Sequence, residues 1–155
     1  MAKWRKTGIL WWNLIDGWPQ ISDAVVDWYG TKKLAYHTLM RSQSPFAMMI
    51  DEPEEGKLPL FAVNDSRKTV SVAYTVKELS TGEEYTGTCE IAPDTAVRLG
   101  DLPLFRHGFY VITWQGDAEG INHFAASQEE GWELDRYVSF MKECGLYEKL
   151  EGFDL

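Results

Sequence analysis

The chain has 155 residues, 45% of them hydrophobic and 25% charged, and a formal net charge of −9, the balance of one ordinary globular domain with at most an appendage. An acidic surface repels phosphate backbones, and no basic stripe is interleaved with aromatics, so no nucleic-acid partner is expected. No stretch approaches the roughly 20 apolar residues of a bilayer span, and the apolar run after the basic start is too short for a signal h-region, so a soluble, cytoplasmic protein is expected.

The chain reads as three zones, 1–44, 45–127 and 128–155. The first opens with the apolar run 8–12, bounded by the turn-forming pairs Asp16-Gly17 and Trp18-Pro19. A run that short and that uniformly apolar predicts a strand buried on both faces, as in parallel sheets. After Tyr29-Gly30, Thr31 is placed to cap a helix running to about Arg41, with Leu34, Thr38 and Arg41 on one side and Ala35 and Leu39 beside them. Strand, long loop and helix make half of a βα repeat.

The second zone changes period. In 68–79 Val70, Val72, Tyr74 and Val76 alternate with the polar Ser71, Thr75 and Lys77, the pattern of a sheet with one wet face. Further strands are predicted at 46–50, 58–64, 84–92, 96–99, 108–115 and 122–126. Seven short strands with regular turn signals predict an immunoglobulin-like β-sandwich, a mainly β fold. Ser80-Thr81-Gly82 reads as one hairpin loop and Asn64-Asp65-Ser66-Arg67 as another. In the third zone Leu134, Tyr137, Val138 and Met141 define one helix face, and Gly145 is placed to end that helix.

Five of the seven tryptophans, Trp4, Trp11, Trp12, Trp18 and Trp28, fall in the first 28 residues. Burying one removes about 150–250 Å² from water, so a cluster of them demands a partner surface. The sandwich needs its inner faces for its own core, so the partner must lie elsewhere. Cys89 and Cys144 have no metal-ligand spacing and, each on the apolar side of its local pattern, read as small hydrophobes rather than a disulfide. His37, His107 and His123 are scattered without ligand spacing, so neither a metal nor a cofactor is expected. His37 reads as a packing residue and His123 as a strand-end hydrogen-bonding residue. The sequon Asn64-Asp65-Ser66 reads as a chance match.

The string GILWWNLIDGWPQISDAVVDWYGTKKLAY, residues 8–36, resembles the eighth barrel strand, its loop and the eighth helix of glycoside hydrolase family 2, especially its β-mannosidase-like members. The motif is an aromatic-Trp-polar-Leu-x-Asp-x-Trp-Pro run, then Ser, a Val-Asp-Tyr-like element and Lys-x-Ala-Tyr. Val63-Asn64-Asp65 and Asn122-His123-Phe124 resemble that family's C-terminal sandwich domain. The resemblance implies that 1–44 is the last βα unit of a TIM-type barrel, 45–127 the sandwich and 128–155 a C-terminal helix and tail.

It also implies a retaining β-glycosidase, in which one carboxylic acid protonates the leaving oxygen and a carboxylate about 5–5.5 Å away attacks the anomeric carbon. In that family both groups are Glu, borne on the fourth and seventh barrel strands, and neither strand is in this chain. No catalytic residue is therefore assigned, and the piece is expected to be inactive alone. Carried over by position, Trp12 matches the wall of the subsite for the cleaved sugar, and Asn13, Asp16 and Trp18 match motif positions beside it. Asp16 is expected to brace the loop and Trp18-Pro19 to pin it. Ile15 departs from the family, many of whose members carry Asn there. The expected partners are a carbohydrate and the rest of the barrel, and the isolated piece is expected to self-associate. The alternative is a free-standing carbohydrate-binding or protein-interaction sandwich module that uses its aromatic segment as a binding face.

Overall fold

The computed structural model describes residues 11–20, 22–127 and 133–146, which fall into two compact units dividing between Ser44 and Pro45. The first contains one helix, α1 (Leu34–Ser42). The second, Pro45–Leu146, contains seven strands, β1 (Phe46–Ile50), β2 (Lys57–Asn64), β3 (Val70–Glu78), β4 (Glu84–Ile91), β5 (Thr95–Pro103), β6 (His107–Gly116) and β7 (Gly120–Ser127), and then α2 (Leu134–Glu143). The strands form two antiparallel sheets, β1-β2-β5 and β4-β3-β6-β7. The fold is mainly β, a seven-strand sandwich with one helix before it and one after.

Alternation builds the core. Val72, Tyr74 and Val76 of β3 and Tyr110, Ile112 and Trp114 of β6 point between the sheets, against Phe46, Met48, Leu58 and Leu60 of the three-stranded sheet. Each fully buried Leu, Ile or Val contributes about 1.5–3 kcal/mol of transfer free energy. The Phe46 and Trp114 rings meet edge-on at 6.2 Å, and Asn122 Nδ2 donates to the Met48 carbonyl at 3.0 Å, joining β7 to β1. Tyr110 Oη donates to the Pro103 carbonyl, the tyrosine-corner bond of immunoglobulin-like sandwiches.

One cross-strand row in the larger sheet runs Gly87, Tyr74, Trp114, Gly120. The glycines leave room for the aromatic rings beside them: a Cβ on Gly87 would lie 2.5 Å from Tyr74 Oη, and one on Gly120 would lie 2.3 Å from Trp114 Cζ2.

The run from Phe109 to Ile112 is buried without a break, which requires cover on both faces of β6. The outer cover is α2. Phe109 stacks on His123 at 5.4 Å and meets Tyr137 and Phe140 at 5.7 and 5.2 Å, and His123 Nε2 hydrogen-bonds Tyr137 Oη at 2.7 Å. His123 thus sits within β7 and docks the helix, rather than bonding at a strand end. The covered helix face runs through Tyr137, Phe140 and Met141, whereas Leu134, in the first turn, is exposed. Gly145, at φ +71°, ends α2 in a Schellman arrangement: its N–H bonds the Lys142 carbonyl and that of Leu146 bonds the Met141 carbonyl.

Three local expectations are corrected. Residues 64–67 do not form a hairpin, because β2 and β3 lie in different sheets and the segment crosses between them. Its anchor is Asn64, fully buried, whose Nδ2 donates to the carbonyls of Lys68, Ile91 and Ala92 at 2.8–3.2 Å and whose Oδ1 accepts from Ser66. The sequon side chain is therefore enclosed and occupied. Thr31 does not cap α1, which starts at Leu34 with Lys33 at the N-cap; the Thr31 N–H instead donates to Asp27 Oδ1. The buried residue of α1 is His37, as its reading as a packing residue expects, while Thr38 is exposed. Of the strand expected at 8–12, residues 8–10 lie outside the described residues. Among the described residues Trp11 and Trp12 carry no strand pairing, and both side chains are exposed rather than buried.

Candidate functional site

The segment that carries Trp12, Asn13, Asp16 and Trp18 is held by a small set of backbone bonds. Asp16 N–H donates to the Val26 carbonyl at 3.1 Å and Val26 N–H to the Leu14 carbonyl at 3.0 Å, a parallel bridge at Ile15 and Val26. Lys33 N–H donates to the Val25 carbonyl at 2.9 Å, and an antiparallel bridge joins Val26 to Lys32. Three short stretches therefore lie side by side, with Ala24 and Val25 buried in the middle one. The reversal between the second and third uses Gly30 at φ +86°, a left-handed conformation that glycine adopts without a Cβ penalty.

Asp16 is the polar centre of this arrangement and only 2% exposed. Its carboxylate accepts from Ser22 Oγ and, at 3.0 Å, from Lys33 Nζ, which also donates to the Ser22 carbonyl at 3.1 Å. The Ser22 hydroxyl and the Lys33 ammonium hold the Asp16 carboxyl below its ordinary value, outweighing the opposite effect of burial. Ser22 and Lys33 stand in the sequence as motif residues without a role, and only the fold brings them to Asp16, across six and 17 residues.

The aromatic residues have the opposite character. Trp12 is 76% and Trp18 65% exposed, and Trp11, Leu14, Ile15, Trp28 and Tyr29 are exposed as well. Asn13 is half-buried, and the peptide between Trp12 and Asn13 is cis. Among the described residues of 11–29, seven large apolar side chains remain open to solvent, which marks a contact surface.

Elsewhere Glu78 is fully buried at the end of β3, where its carboxylate accepts the N–H groups of Phe109, Ser80 and Thr81 at 2.6–3.1 Å. Burial pushes its carboxyl up, the bonds from Phe109, Ser80 and Thr81 pull it down, and the bonds win. Its oxygens are committed to the β3–β4 hairpin, the turn at Ser80-Thr81-Gly82. Arg98 is ion-paired with Glu54 and Asp101 on the surface. Cys89 and Cys144 are not joined in a disulfide, and burial raises the Cys89 pKa. Among the described residues no three His, Cys, Asp or Glu side chains converge as metal ligands, and no helix is long and apolar enough to cross a membrane.

No family model and no curated protein matches the sequence. Among solved structures, the β-D-mannosidase of Dictyoglomus thermophilum is similar over 79% of this chain, with a TM-score of 0.59 and 24% sequence identity. The likeness is one of fold. It extends over 16% of the mannosidase chain, so the present sequence answers to a small part of that protein.

Proposed function

We propose that the chain is the C-terminal piece of a retaining β-glycosidase of the β-mannosidase-like kind, with 1–44 as the last βα unit of its barrel, 45–127 as its sandwich and 128–155 as its closing helix and tail. The observation that carries this reading is the solvent-open aromatic surface around Trp12 and Trp18 on a braced loop. That surface suits a chain that was selected to meet a larger body. The motif resemblance and the fold of the mannosidase support it.

In the whole enzyme the indole of Trp12 would wall the sugar, a flat ring on the apolar face of a pyranose. Asn13 and Trp18 would stand beside it, and Asp16 would act through the loop rather than on the substrate. The chemistry would belong to two Glu residues outside this chain. The two carboxylates buried among the described residues fit no acid/base pair: Asp16 is engaged by Ser22 and Lys33, and Glu78 by three backbone N–H groups. A pair for double displacement needs carboxyl groups about 5–5.5 Å apart across an open cleft.

The 155-residue chain is therefore expected to leave an aryl β-mannoside unhydrolysed, while the longer reading frame containing it hydrolyses that or another aryl β-glycoside. Enzyme-like turnover by the 155-residue chain would overturn the assignment. The exposure of Trp12 and Trp18 also favours a second reading, a carbohydrate-binding module in its own right in the cytoplasm. Calorimetric titration with mannosides separates the two, since specific binding that disappears in Trp12→Ala belongs to the module.

A further inference from the structure

Three stretches of the first unit converge on one carboxylate. Ser22 Oγ donates to Asp16 Oδ1, Lys33 Nζ donates to Asp16 Oδ2 at 3.0 Å, and the Ala24 N–H donates to Ser22 Oγ at 3.1 Å, so the hydroxyl accepts from the backbone and gives its own proton to the acceptor-only carboxylate. The Asp16 side chain has no solvent exposure and that of Lys33 has 30%. A buried carboxylate deprived of a charged partner is strongly unfavourable, so these bonds hold the backbone that bears Asp16 to residues 22–26 and 33. Trp12 lies four residues before Asp16 and Trp18 two after it. Side chains as open as these two have few contacts of their own to orient them, so their direction follows from the backbone between them.

We propose that Lys33 is a positioning residue: with Ser22, and through Asp16, it fixes the backbone between Trp12 and Trp18 and hence the way the two indoles and Asn13 are presented. That the surface so ordered faces a sugar rests on the glycosidase reading; the clamp itself does not.

The test labels the 155-residue chain with 5-fluorotryptophan and follows the fluorine resonances, assigned by single Trp→Phe substitutions. Lys33→Met removes the ammonium at similar length and is expected to shift or broaden the Trp12 and Trp18 resonances while leaving that of Trp114, in the sandwich, unchanged. Lys33→Arg retains the charge and is expected to return both toward their native positions. Unchanged Trp12 and Trp18 resonances in Lys33→Met overturn the proposal. If Lys33→Met also disturbs Trp114, Ser22→Ala decides, because it keeps the ion pair: changes confined to Trp12 and Trp18 support the clamp, and their absence overturns it. Failure of the glycosidase reading, seen as no turnover of any aryl β-glycoside by the longer polypeptide, leaves these resonances as they are, so the two failures are distinguishable.

Discussion

Two buried carboxylates do different work from the exposed acids that give the chain its net charge. Glu78 gathers the N–H groups of Phe109, Ser80 and Thr81 at the end of a hairpin, and its carboxyl is held below its ordinary value. The sign follows from linkage: a lowered native pKa means that the stabilisation is complete above the unfolded-state value and is lost as pH falls through the native one. Glu78→Gln keeps the shape but removes the charge and one acceptor, and is expected to cost about 1.5–3 kcal/mol at neutral pH. Urea denaturation measures it, and the variant should also lose less stability than the native chain as pH drops below about 4. An equal acid dependence in both would show that Glu78 is not the group responsible. Nothing local in the sequence marks Glu78 as buried, because Phe109 lies 31 residues away.

The elements themselves are well forecast by alternation and by turn chemistry. All seven strands fall where the period-2 runs place them, most within two residues at each end, because inward and outward positions in a half-buried strand are written residue by residue. What turn chemistry cannot distinguish is a hairpin from a crossing: Asn64-Asp65-Ser66-Arg67 looks the same whether the next strand pairs with the last or joins the opposite sheet. The glycine–aromatic row is another property of pairing rather than of any one strand. Gly120 must stay small because Trp114 of β6 lies across it. Gly120→Ala is expected to cost about 1–3 kcal/mol by displacing the indole. Thermal unfolding together with near-ultraviolet circular dichroism reports both effects, and an unaltered aromatic spectrum would argue that the indole has not moved.

For the whole chain, the contrast is between a sandwich that buries its own core and a first unit that leaves Trp11, Trp12, Trp18, Trp28 and Tyr29 exposed. Apolar surface of that kind seeks a partner. The isolated chain is expected to self-associate, with sedimentation velocity showing a mean mass that rises with concentration. Trp12→Ala combined with Trp18→Ala should weaken that trend. A strictly monomeric species at high concentration would count against a contact surface here.

The residue order by itself determined the mainly β architecture, the strand positions, the C-terminal stop at Gly145 and the excess of tryptophan in the first 28 residues. These depend on neighbours two to four positions apart or on composition. The tertiary structure decided which strands pair, that α2 covers the outer face of β6, that Asn64 and Glu78 are buried, and that Ser22 and Lys33 close on Asp16. Those outcomes join groups far apart in the chain, as Glu78 and Phe109 are across 31 residues. A local pattern states that a side chain will be buried, but only the packed chain supplies the atoms that bury it.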